Sequence, residues 1–103
     1  MKRTITISRA KATELNAILA TESGKLPKEK QDQTLWTQSV SFGNNIEADI
    51  QVCSGQENAY LNPVLFQSGM EVACLQDESE SVEGEYPFEY QGKEYTVVVK
   101  VKD

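Results

Sequence analysis

The stretch Ile46-Glu47-Ala48-Asp49-Ile50-Gln51-Val52 alternates apolar and polar side chains without a break, directly after Gly43-Asn44-Asn45. Alternation with period two puts one set of side chains on each face of an extended chain, so the pattern demands a strand buried on one side. Asn and Gly tolerate the positive φ of tight hairpin turns. Upstream, Trp36, Val40 and Phe42 share a face. The segments flanking Gly43-Asn44-Asn45 therefore form a hairpin whose core face carries the large apolar residues and whose other face carries carboxylates and amides. Trp36 is expected in the core, where Trp36→Ala would cost roughly 3–5 kcal/mol.

The same signals recur downstream. Residues 60–66 are mostly apolar but contain Asn62-Pro63, and because proline has no N–H for a ladder, Pro63 predicts a strand edge or a bulge. Gln67-Ser68-Gly69 turns the chain into residues 70–75, apolar on both faces, so this second hairpin is expected to be the more buried one. Tyr86-Pro87-Phe88-Glu89-Tyr90, the turn Gln91-Gly92 and residues 93–102 complete the series, with Tyr95, Val97, Val99 and Val101 on one face of the last strand.

Before these hairpins, Ile5 and Ile7 alternate with Thr4 and Thr6 as a first strand. Ser8 is placed to cap a helix running to about Glu22, with Gly24 as its stop and Leu15, Ile18 and Leu19 turned toward a sheet. Residues 25–33 hold Pro27, Lys25, Lys28 and Lys30 and predict an exposed connection. The expected fold is α+β and predominantly antiparallel. It has about six or seven strands in hairpins, forming a curved sheet, partial barrel or small sandwich, with one N-terminal amphipathic helix. At 103 residues, a single domain over 1–103 is expected.

Function is bounded first by inventory. The chain has no histidine, which removes Ser-His and Cys-His nucleophile pairs and histidine-containing zinc sites. It also lacks the glycine-lysine phosphate loop and the GxGxxG turn. The sequence thus argues against an enzyme and predicts no catalytic residue, cofactor or metal. Cys53 and Cys74 are 21 positions apart, with neither in a C-x-x-C pair. Their neighbours predict Cys74 in the core and Cys53 on the more polar face. The basic residues at the N-terminus precede no apolar run, so neither a secretory signal nor a membrane span is expected, and the thiols are expected free in a cytoplasmic protein.

The net charge of −6 disfavours direct contact with nucleic acid and favours a basic protein partner. Carboxylates concentrate at Asp77, Glu78, Glu80 and Glu83 without the spacing or glycine of a calcium loop. Together with Tyr60 and Tyr86, the aromatics expected to be most exposed, they form the candidate partner-binding set. The leading expectation is a non-enzymatic protein-binding or regulatory module. The alternatives are a small-molecule or nucleotide-binding domain using a curved sheet, an acidic mimic of nucleic acid, and carboxylate catalysis. A homodimer is expected through an irregular edge at Asn62-Pro63 and the apolar last strand.

Lys2-Arg3-Thr4-Ile5-Thr6-Ile7, followed by Leu15, Ile18 and Leu19, resembles the ribbon and first helix of ribbon-helix-helix DNA-binding proteins over about a fifth of the chain. The resemblance implies that Lys2, Thr4 and Thr6 of a paired ribbon would face the major groove. It ends where that family needs a second helix, since Pro27 and the charged connection stand there. It therefore assigns no function to the chain.

Overall fold

A computed structural model describes residues 1–20, 33–55, 59–75 and 81–103. Seven strands and one helix follow in the order β1 (Lys2–Ser8), α1 (Arg9–Leu19), β2 (Gln33–Gly43), β3 (Ile46–Ser54), β4 (Ala59–Gln67), β5 (Met70–Cys74), β6 (Gly84–Tyr90) and β7 (Lys93–Lys102). Three hairpins are closed by two-residue turns with positive φ at both positions: Asn44-Asn45, Ser68-Gly69 and Gln91-Gly92. That conformation matches the right-handed twist of the flanking strands.

The strands form two sheets, β1-β7-β6 and β2-β3-β4-β5. Every pairing is antiparallel except that of β1 with β7, which is parallel, with Ile5 opposite Val99. β1 lies beside β2, and β5 beside β6, but no ladder joins either pair. The result is an unclosed barrel with two seams. At the first seam Arg3 Nε donates to the Ser41 carbonyl at 3.2 Å, and its guanidinium lies 5.8 Å from the centre of the Phe42 ring. Past the second, the Tyr90 hydroxyl of β6 reaches the end of β4 and donates to Gln67 Oε1.

Both sheets and α1 contribute to one core. Ile5, Ile7, Val97 and Val99 meet Ile50, Val52, Leu61 and Leu65, with Leu15 and Leu19 of α1 among them. Phe42 and Tyr95 meet edge to face across the sheets, with centroids 5.2 Å apart. Ser8 caps α1 as expected, its Oγ accepting from Lys11 N at 3.1 Å. The described helix ends at Leu19 with Ala20 as its cap, so its expected continuation to Glu22, the stop at Gly24 and the basic connection at Lys25, Lys28 and Lys30 fall outside the described residues.

Several expectations are corrected by the topology. β4 is an interior strand, and Pro63 is buried opposite Ile50 rather than at an edge. Its carbonyl accepts from Leu75 N at 3.0 Å, so its backbone faces the β5 side, and the missing donor points where the β4–β5 ladder has ended at Val64–Cys74. The β4–β5 irregularity lies between Leu65 and Phe66 instead. Pro87 follows the same rule. Thr96 donates its N–H to the Met1 carbonyl at 2.8 Å, so in the Pro87–Thr96 pair the backbone groups face away from each other, and the proline nitrogen looks off the sheet edge.

The β4–β5 hairpin is also less buried than expected. β5 is an edge strand with Met70 and Glu71 exposed and Val72 and Ala73 only half-buried. β7 sits between β1 and β6, so neither edge expected to support a homodimer is free. Trp36 is half-buried on β2, itself an edge strand, and packs against the core from its margin rather than inside it.

Candidate functional site

Alternation along β6 and β7 turns Tyr86, Phe88, Tyr95, Val97 and Val99 inward and leaves Glu85, Glu89 and Glu94 exposed on the outer face, with exposed Glu83 just before β6. Glu89 and Glu94 stand directly opposite each other beside the Gln91-Gly92 turn. Like charges in that position repel, and neither carboxylate belongs to an ion pair among the described residues. Glu94 Oε1 accepts from Thr96 Oγ1 at 3.1 Å, and the Met1 ammonium donates to the main-chain carbonyl of Glu94 at 2.8 Å. Glu85 has Lys2 at 3.4 Å, a pair exposed on both sides and therefore weak. Glu83 lies near Arg9, whose pKa is raised mainly by the side-chain hydrogen bond and charge of Asp103, and to a smaller extent by Glu83.

The expected set divides on inspection. Glu83 is exposed at the start of this acidic face, whereas Asp77, Glu78 and Glu80 lie outside the described residues. Tyr60 is exposed, at 45% of its surface, but it belongs to the other sheet. Tyr86 is a correction: it is only 2% exposed, and its hydroxyl donates to the Val82 carbonyl at 2.7 Å. Its neighbours in sequence are acidic, but the alternation of β6 points it into the core between the sheets.

Around Tyr60 the outer face of β2, β3 and β4 forms an open groove of about 350 Å³. Register aligns Thr34, Cys53 and Tyr60 in one row across three strands, with Gln51 and Asn62 paired in the next. Asn62 Nδ2 donates to Gln51 Oε1 at 3.0 Å, and Cys53 Sγ donates to the same oxygen at 3.7 Å. Cys74 Sγ in turn reaches Asn62 Oδ1 at 3.5 Å.

Cys53 lies on the polar outer face where its neighbours place it, yet it is not exposed there, and Cys74 is not in the core. Cys53 is buried in this network and Cys74 is exposed on β5. A polar strand face becomes enclosed where neighbouring strands cover it, and an apolar segment becomes exposed when its strand ends up at the edge. Sequence reasoning missed Glu89, Glu94, Gln51 and Asn62 as candidates. Their faces are readable from alternation, but their neighbours across strands require the register.

Among the described residues no helix is long and apolar enough to cross a membrane, and no group of three or more metal-ligating side chains converges. No protein-family model, curated protein or solved structure matches the chain.

Proposed function

We propose that the chain is a non-enzymatic protein-binding module whose acidic face on β6 and β7 docks a basic protein surface. The supporting observation is the Glu89–Glu94 pair. It sets two exposed carboxylates opposite each other with no cation paired to either among the described residues, an arrangement that costs the free protein a little stability. A cationic partner would relieve that repulsion, gaining speed of encounter and selectivity from charge complementarity. Asp77, Glu78 and Glu80 precede β6 in sequence and add to the negative charge of the chain. Mimicry of nucleic acid draws less support, because Lys2, Lys100 and Lys102 stand on the same sheet face.

The test separates binding from folding. Glu89→Gln with Glu94→Gln should raise the free energy of unfolding by a few tenths of a kcal/mol, about 0.2–1, because a like-charge cross-strand pair is removed. The same variant should capture less basic protein from cell extract, and capture by the wild type should fall as salt rises. Equal capture by the folded variant, with no response to salt, would refute the acidic docking face.

Self-association is proposed through β2. This strand is an edge of the four-stranded sheet with no ladder on its outer side, where Arg3 of β1 reaches only Ser41; it carries no charged side chain and runs regularly from Trp36 to Ser41 between its two register shifts. Pairing with a second copy there avoids the repulsion expected elsewhere on an acidic chain. Light scattering should show dimers at high concentration and monomers for Gln38→Lys. A wild-type monomer mass throughout would overturn this.

A further inference from the structure

We infer that the groove on the outer face of β2, β3 and β4 binds an uncharged saccharide, with Tyr60 as the stacking platform and the Gln51 amide as the fixed hydrogen-bond donor. The inference is independent of the acidic face, which lies on the other sheet.

Thr34, Gln51, Cys53, Ser54, Tyr60 and Asn62 form most of the described wall, and among the described lining residues none is a Lys, Arg, Asp or Glu, although charged residues make up 25% of the chain. Among the described lining residues a phosphate or carboxylate ligand would find no cation, and an ammonium ligand no carboxylate. A wall of amides and hydroxyls instead matches a neutral molecule rich in paired donors and acceptors.

The Gln51 side chain is pre-oriented. Asn62 Nδ2 and Cys53 Sγ both donate to its Oε1, which holds the amide in one orientation. Its Nε2 hydrogens have no acceptor among the described residues, and Gln51 is only half-buried, so this NH2 group is available to a ligand in the groove. Asn62 is held in turn by Cys74 Sγ on its Oδ1. A donor fixed in advance loses little side-chain entropy on binding.

Tyr60 supplies the remaining element. It occupies the same cross-strand row as Cys53 and keeps 45% of its surface exposed. An exposed aromatic ring offers a flat apolar face beside polar groups, the combination that suits a sugar ring with one face of C–H groups and a rim of hydroxyls. Adjacent ring hydroxyls can accept from Gln51 Nε2 while donating to oxygen acceptors along the wall.

The experiment uses the full chain and saturation-transfer-difference NMR with maltose, cellobiose, lactose and chitobiose, alongside adenosine and glucose 6-phosphate. At least one disaccharide should bind, with transfer strongest to its ring C–H protons, and glucose 6-phosphate should bind more weakly than its best neutral counterpart. Tyr60→Ala and Gln51→Glu, each checked for folding by circular dichroism, should weaken that disaccharide by about tenfold or more, while Tyr60→Phe should retain it. Absence of signal from all four disaccharides overturns the inference. So does binding that both folded variants leave unchanged, or binding confined to adenosine.

Discussion

Phe88→Ala is expected to lower the free energy of unfolding by about 3–5 kcal/mol, the largest loss from a single truncation among the described residues. Phe88 is 1% exposed, is among the largest of the fully buried side chains, and lies on β6 directly opposite Tyr95. Its removal opens a void between the sheets, where the packed strands cannot collapse far without breaking the β6–β7 ladder. Chemical denaturation measures the loss as a lower midpoint at unchanged slope. Trp36→Ala provides the contrast. With Trp36 only half-buried at the margin of β2, its truncation should cost less than that of Phe88, on the order of 1–3 kcal/mol. If Trp36→Ala proves the more damaging of the two, the placement of β2 at the sheet margin is wrong.

Tyr86→Phe is expected to cost about 1–3 kcal/mol even though the ring remains. Val82 is fully buried just before β6, and side chains bond both of its main-chain polar groups. Asn16 Oδ1 accepts from its N–H at 2.9 Å, and the Tyr86 hydroxyl donates to its carbonyl at 2.7 Å. Removing the hydroxyl leaves a buried carbonyl without that donor, and this deficit exceeds the net value of an average hydrogen bond. Because these bonds tie α1 to the approach of β6, Asn16→Ala should be non-additive with Tyr86→Phe in a double-mutant cycle. The amides of residues 82–85 should also exchange faster with solvent in either variant. Unchanged exchange there, with stability within about 0.5 kcal/mol of wild type, would show that Val82 is not anchored this way.

The anchoring of Val82 marks the limit of what could be read locally. The acidic segment was visible as a run of carboxylates, and Tyr86 beside it looked like part of the same surface. Alternation along β6 places Glu85 outside and Tyr86 inside, yet the reason the tyrosine is fully buried is that α1 and the other sheet close over it. The groove was harder still to foresee. Gln51 reads as a wet-face residue, Asn62 as part of an irregular edge and Tyr60 as an exposed binding candidate, and they become neighbours only through the register of β3 with β4.

Only local properties are legible in the amino-acid order: which residues are extended, where the chain turns, and where the helix begins. Those properties depend on side-chain period, on tolerance of positive φ and on a capping hydroxyl, all of which act over a few residues. Long-range packing set the parallel pairing of β1 with β7, the interior position of Pro63, the burial of Cys53 with the exposure of Cys74, and what the opposition of Glu89 to Glu94 costs. The first three depend on which strands end up as neighbours. Strand order is set by burying one shared apolar core between two sheets, and that is a long-range competition no short segment records. For Glu89 and Glu94 the hairpin was legible from the start, but the cost of their opposition appears only when the inward residues of β6 and β7 commit both carboxylates to the same outer face.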